Sequence, residues 1–353
     1  MQTDYIIVGG GLAGLCFAAY CWQHNKSFVL IDTPKGDKSS LIAVGLFNPV
    51  VLKRFTSIWN GEYQMNLAKD FYAHQEKILG QTFFHPLPLY RKFANIEEQN
   101  NWFAACDKNT LQKYLHDKII YKNINGVNAP LGYGEVYQCG YLDTQMFVNS
   151  LHHHLANHNQ LLLEAFDYNL LQTENNQISY KNIRAKKIIF AEGFSMQQNP
   201  YFNQLPLDGT KGEVLTARIP DLKTTVILKS NIFVLPIGED LYRVGATYDW
   251  KDKKSHPTEE GKNQLLNDLK ALINLPFEIV EHQAGIRPTV RDRRPLVGTH
   301  YKHPNIHLLN GLGTRGVLLG PYLAEQLFNH LENNADLPQE ININRYYKKQ
   351  NLI

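Results

Sequence analysis

Gly9, Gly11 and Gly14 follow the apolar run DYIIVGG and open the run GLAGLCFAAYCWQH. Each glycine does a different job in a turn that meets a diphosphate. The first permits a tight bend, the second lets the backbone approach the anion, and the third lets helix and strand pack closely. The helix amino terminus at Leu12 and Ala13 adds amide donors and the positive end of a dipole. A second strand, KSFVLID, ends in Asp32, where a carboxylate accepts from ribose hydroxyls. Strand, glycine turn, helix, strand and terminal acid together predict a βαβ dinucleotide site. The motif by itself suits FAD and NAD equally.

Two more segments point to FAD. KKIIFAEGFS reads as a buried strand ending in Ala191-Glu192-Gly193, and GLGTRG, Gly311 to Gly316, is another strand-to-helix glycine turn. A cofactor tethered along its whole length needs several such close backbone approaches. Plain loops are the other reading of both segments.

The elements that position these turns follow from the pattern. A chain of 353 residues, 43% hydrophobic and 20% charged, belongs to the soluble globular class and suits about two domains. The uncharged run from Tyr5 to Trp22 is broken by glycines, and the Met-Gln-Thr-Asp start lacks the basic residues of a signal peptide. No membrane segment is expected. Cys16, Cys21, Cys106 and Cys139 lack CxxC spacing, which suits reduced thiols in a cytoplasmic protein. A formal charge of +3 neither requires nor excludes a polyanionic partner.

After a polar loop, TPKGDKSS, apolar spacing predicts a helix from Tyr63 to Leu79, with helical patterns on to about Leu115. Asp143 is placed to cap a helix over TQMFVNSLHHHLANH. Strand patterns follow in LLLEAF, QISYKNI and KKIIFAEG, then in EVLTARI, TTVILKS, NIFVLPI and LYRVGATYDW, with a hairpin turn at Gly238-Glu239-Asp240. Leu265, Leu266, Leu269, Leu272 and Ile273 mark an amphipathic helix within Glu259 to Asn274. With no long linker, two domains are expected to interleave.

Taken together, these residues resemble the D-amino-acid oxidase superfamily of FAD enzymes, which includes glycine oxidase and sarcosine oxidase. The likeness runs over nearly the whole chain: the amino-terminal glycines, SSLIAVGLFNP, KGEV, FVLP, GAT and GIRPTVRDRRPLVG. It implies an α/β fold in which a Rossmann-like FAD-binding domain (1–48, 140–212, 285–353) interleaves with an α+β, antiparallel-sheet substrate domain (49–139, 213–284).

The resemblance also implies roles. SSLIAVGLFNP stands where the family's flavin-contacting loop does, which brings in Ser39, Ser40, Gly45 and Leu46. Gly313 and Thr314 would offer amides to the flavin, and Arg315 would touch flavin or substrate. Arg287, in the G-x-R-P segment, would grip a substrate carboxylate; a planar, permanently charged guanidinium suits that bidentate task. Phe233 stands where glycine oxidase has a tyrosine, so one hydroxyl contact is missing. Tyr248 would supply an aromatic wall or a hydroxyl, a core tyrosine being its other reading.

The implied activity is oxidation of a carbon–nitrogen bond of an amino acid or N-substituted glycine, with molecular oxygen as oxidant. GLGTRGVLLGPYLAEQL and TVRDRRPLVG most resemble the FAD domain of a bifunctional tRNA wobble-uridine-modifying enzyme, which implies tRNA as an alternative partner. Lys53, Arg54, Arg291, Arg293, Arg294, Arg315, Lys348 and Lys349 would then meet phosphates, a solvated surface being the plainer reading. An NAD-dependent dehydrogenase is the third alternative. His152, His153 and His154 point in different directions on a helix, and only His154 and His158 share a face, so a solvated helix is expected there and no metal site.

Overall fold

The computed structural model describes residues 1–34, 38–174 and 177–352. Part of the polar loop after Asp32, residues 35–37, lies outside them. The chain builds two large sheets. In the first, Leu161–Leu163, Phe28–Asp32, Gln2–Val8, Ile183–Phe190 and Ile306–Asn310 lie side by side, and every neighbouring pair is parallel. Antiparallel strands complete the side beyond Ile183–Phe190, where Gln177–Tyr180 pairs with it and Leu296–Thr299 pairs with Ile306–Asn310, while Leu161–Leu163 forms the other edge. Parallel strands are buried on both faces, which is why Phe28–Asp32 and Ile306–Asn310 are buried throughout.

The second sheet has seven strands: Glu278–Arg287, Thr210–Arg218, Leu241–Gly245, Phe233–Gly238, Ile227–Lys229, Leu89–Lys92 and Tyr133–Val136, in that order. All pairs are antiparallel except that of Ile227–Lys229 with Leu89–Lys92. The chain visits the parallel sheet, crosses to this one, returns and crosses again, so the halves interleave in sequence. The fold is α/β joined to α+β.

Local rules account for many of the elements. Asp143 caps the helix Thr144–Asn157 by accepting from the Met146 amide at 2.9 Å. Thr258 caps Glu259–Leu272, whose buried positions include Leu265, Leu269 and Leu272. The hairpin turn falls where expected: Glu239 and Asp240 both have positive φ, 51° and 59°, the geometry of the turn that matches strand twist. The helix Leu12–Gln23 is buried from Leu12 to Cys21 because it lies between the parallel sheet and the helix Gly316–Asn333.

One expectation is corrected. Helix does not continue from Leu79 to about Leu115; the chain makes strands at Phe84–Pro86 and Leu89–Lys92, and only Ile96–Cys106 is helical. Pro86 and Pro88 deny a helix its amide donors, and Leu89–Lys92 instead pairs with Ile227–Lys229 and Tyr133–Val136. Cys16, Cys21 and Cys139 are buried and, like Cys106, unpaired.

His307 lies within the strand Ile306–Asn310, and His300 follows Leu296–Thr299 and packs among Tyr201, Phe202, Tyr301 and Tyr347. Burial is the main cause that holds their imidazoles down, to about 4 and about 3. In the unfolded chain both take up protons near pH 6.5. Their contribution to stability is therefore complete above that pH and is lost as pH falls through the folded values. The urea unfolding midpoint should drop between about pH 7 and about pH 4.5, and His300→Phe should flatten part of that dependence; an equal slope in the variant would show that other groups set it.

Candidate active site

A cavity of about 680 Å³ runs from the carboxyl ends of the parallel strands to one face of the second sheet. Its first part is made by main chain. Gly9 holds φ 107°, and a Cβ there would lie 2.5 Å from the Ala191 carbonyl oxygen, a position only glycine takes without strain. A Cβ at Gly14 would collide with the Gly9 carbonyl. Gly14 therefore serves the packing of helix on strand and does not line the cavity, whereas Gly9, Gly11, Leu12 and Ala13 do.

Gly11 caps the helix Leu12–Gln23 without a side-chain bond, and the first turn carries no acid. Among the described residues Ser40 answers it, its Oγ accepting from the Leu12 amide at 3.1 Å. Unsatisfied amides and the positive dipole end thus face the cavity, which fits a diphosphate. Asp32 is buried and lines the cavity. Its Oδ2 accepts from Lys38 Nζ at 2.5 Å and lies 3.4 Å from His152 Nε2.

His152 is the clearest residue that pattern reading missed. Its Nε2 is 3.0 Å from the Gly10 carbonyl oxygen, and burial is the main cause that lowers its pKa. The helix of histidines is therefore not solvated on this side. The signal was its position beside the buried Leu151 on an amphipathic helix. His154 and His158 stack at 4.3 Å, and among the described residues no group of His, Cys, Asp and Glu is placed to hold a metal ion.

Further along, Ser39, Ser40, Gly45, Leu46, Ala191, Gly193, Gly313, Thr314 and Gly316 line the cavity. Ser39–Ile42 is a short helix, and Gly45 has φ 70°, where a Cβ would collide with the Leu142 carbonyl. Gly311 and Arg315 do not line the cavity: Gly311 turns the chain at φ 81° against Val290, and Arg315 caps Gly316–Asn333. The Gly313 amide is already used, donating to the Pro288 carbonyl at 3.0 Å, so it is not available to a ligand as the sequence suggested. Glu192, half-buried on the same cavity wall, has its carboxyl pushed up to about 6 by desolvation, against hydrogen bonds from Tyr168 and Asn199.

The cavity ends at Arg287, Tyr248 and Phe233. The Arg287 guanidinium lies over the Tyr248 ring, 4.6 Å from its centroid, and Nη1 donates to the carbonyls of Lys211 at 3.2 Å and Thr247 at 3.3 Å. Burial is the main cause that lowers its pKa, and no carboxylate pairs with it among the described residues. Tyr248 is 53% exposed, so it is a wall and not a core residue. Gly212 was not singled out for this site, yet a side chain there would collide with the guanidinium.

A glycine turn at the ends of parallel strands, continuous with a walled cationic cavity, defines a dinucleotide-dependent enzyme. The chain belongs to the DAO family, FAD dependent oxidoreductases, whose model matches residues 4–329. Its cofactor is FAD. The chain is similar to the bifunctional protein MnmC of tRNA 5-methylaminomethyl-2-thiouridine biosynthesis from Marinobacter nauticus, 23% identical over 98% of this chain and 59% of that protein. A glycine oxidase from Bacillus subtilis is 20% identical over 98% of both chains. The iminodiacetate oxidase structure from Chelativorans superposes with a TM-score of 0.75 at 16% identity, covering 97% of this chain and 98% of that one, and so shows the shared fold. The chain spans 59% and 55% of the length of two MnmC relatives. No helix among the described residues is long and apolar enough to cross a membrane.

Because Gly9 combines positive φ with a carbonyl in the path of any Cβ, Gly9→Ala should weaken FAD binding roughly tenfold or more through strain of about 1–3 kcal/mol. Flavin absorbance per mole of purified protein measures this, with circular dichroism as the check on folding. Full flavin content would show that this turn is not the cradle.

Proposed function

We propose that this enzyme oxidises the carbon–nitrogen bond of an amino acid or N-substituted glycine in the cytoplasm, with molecular oxygen as the final oxidant. The observation that carries the reading is the Arg287 guanidinium: half-buried, held by carbonyls through one nitrogen, and unanswered by any carboxylate among the described residues. A charge so placed gains most from an anionic ligand. The carboxylate of a glycine-like substrate would complete it. In this reading residues 1–48, 140–212 and 285–353 hold the cofactor and 49–139 and 213–284 the substrate.

FAD, when bound, supplies the two-electron acceptor that such an oxidation needs. The chain's own residues bind and orient. Arg287 fixes the carboxylate, and Tyr248 holds the guanidinium from one side. Phe233, paired with Gly245, offers an apolar surface without a hydroxyl. The amine would thus be held by its carboxylate and by shape, so that the carbon beside the nitrogen can give up a hydride to FAD while the nitrogen loses its proton to water, leaving an imine. Water then hydrolyses the resulting imine.

A second reading, a carboxymethylaminomethyl-uridine of tRNA as substrate, is supported by the similarity to MnmC over 98% of this chain. It is also supported by Arg293, 6.0 Å over the Trp250 ring, two residues beyond the cavity wall at Tyr248. Arg291 is engaged by Asp208 and Arg294 stands over Trp59. Anaerobic bleaching of the flavin by glycine, sarcosine, proline or a D-amino acid supports the first reading. Bleaching by modified tRNA alone, weakened steeply by salt, supports the second.

Arg287→Ala should raise the dissociation constant of a carboxylate substrate about 100-fold, about 3 kcal/mol, and leave FAD absorbance intact. Anaerobic titration of flavin reduction gives that constant. An unchanged value removes Arg287 from the substrate site.

A further inference from the structure

The cavity wall carries a second cation that the reading above leaves unused. Lys229 ends the strand Ile227–Lys229 and lines the cavity with Asn231 and Phe233. Strand pairing sets its direction. Lys229 lies opposite Phe233, Phe233 opposite Gly245, and Gly245 opposite Val214. Directly opposed residues project from the same face of a sheet, as do residues two apart on a strand. Gly212, two residues before Val214, has the Arg287 guanidinium standing over it. Lys229 and Arg287 therefore rise from one face of one sheet into one cavity, with Phe233 and Val214 as an apolar floor between them.

The strands of Lys229 and Gly212 are three spacings apart, roughly 14 Å at about 4.8 Å each. Neighbours do not neutralise the ammonium. Its Nζ donates to the Asn231 carbonyl at 3.0 Å, and among the described residues no carboxylate forms an ion pair with it. Arg91 lies directly beside it on the adjacent strand and takes Glu98 for itself at 2.5 Å. Asp268 acts from the helix Glu259–Leu272 and is met by Asn231 Nδ2 at 3.4 Å. Burial first, then Arg91, pull the Lys229 ammonium down to about 8, against Asp268. An anion brought to it would relieve that penalty.

We propose that Lys229 forms a second anion subsite and that the substrate is a dianion: an N-substituted glycine with its carboxylate on Arg287 and a terminal carboxylate or phosphate on the order of 15 Å away. The inference rests on the assignment of Arg287 to the substrate carboxylate. Free glycine reaches one cation only. A substituent that crosses the apolar floor reaches both, and its hydrocarbon length is matched by Phe233 and Val214.

Equilibrium binding to the FAD-loaded protein tests this without turnover. α,ω-Dicarboxylates of increasing chain length are titrated by calorimetry and by the change in flavin absorption, against monocarboxylates of equal length. ω-Phosphorylated carboxylates of the same lengths form a parallel series and show which terminal anion is preferred. At the matching length the dianion should bind about tenfold or more tighter than the monocarboxylate. Lys229→Met should abolish that ratio, and Lys229→Arg should retain it.

The subsite is refuted if no length favours the dianion or if the ratio survives Lys229→Met. It is also refuted if Lys229→Met sheds FAD, since the ammonium would then serve the cofactor. Lys229-dependent dianion binding without flavin reduction by any N-carboxymethyl amine would sink the proposed reaction and leave the subsite standing. Reduction by glycine or sarcosine with no dianion preference would sink the subsite alone.

Discussion

The half-buried charge of Arg287 is the constraint on which the cavity depends. A guanidinium removed from water without a counter-ion is costly, so the surrounding main chain has to hold it. The Lys211 and Thr247 carbonyls that accept from it are tied to each other: Lys211 and Asp249 exchange backbone bonds of 2.8 and 3.0 Å, and the Glu213 amide donates to Thr247 Oγ1 at 2.9 Å. Arg287 is therefore positioned by paired backbone, which is stiffer than a set of side-chain rotamers. Gly212 completes the arrangement by leaving the volume that the guanidinium fills.

Space left by glycine also couples the two sheets. At Gly285 the absent side chain lets Ile42 and Ser39 pack directly on the strand that carries Arg287; a Cβ there would lie 3.2 Å from Ile42 Cδ1. The same short helix contributes Ser40 to the amino terminus of Leu12–Gln23. One turn of chain thus touches the anion-binding helix end and the cationic strand at once. That contact ties the amino-terminal end of Leu12–Gln23 to the strand that carries Arg287.

Local rules with local causes were legible in the sequence. The glycine turn, the Asp143 and Thr258 caps and the Glu239-Asp240 hairpin each depend on residues within a few positions, and the structure has them where the residues require. The stretch from Phe84 to Lys92 has the apolar density of a helix, but Pro86 and Pro88 turn it into strand. His152 and Lys229 were not legible for another reason. A histidine among histidines and a lysine at a strand end carry no mark of their own, and their surroundings are created by strand pairing and helix docking distant in sequence. The family resemblance drew attention to Arg287, which the structure places on the cavity wall, but not to Gly212, because an absent side chain has meaning only once its neighbour is placed.

The strand Thr210–Arg218 shows how a costly front face is made tolerable. Its alternate residues Lys211 and Glu213, 1% and 3% exposed, project behind the sheet, away from Gly212 and Val214. There the charges are matched: Lys211 bonds Asp252 at 2.6 Å, and Glu213 accepts from Thr258 Oγ1 at 2.8 Å and contacts His282 at 2.8 Å. Burial pulls the Lys211 pKa down, but the bonds to Asp252 and Glu213 outweigh it and raise it. A satisfied buried network fixes the backbone to which it is attached. Here it clamps the segment from Thr247 to Thr258 onto the strand, and that segment carries both the Thr247 carbonyl and Tyr248. Charge satisfied behind the sheet thus holds in place the groups that support Arg287 in front, where no carboxylate among the described residues meets it.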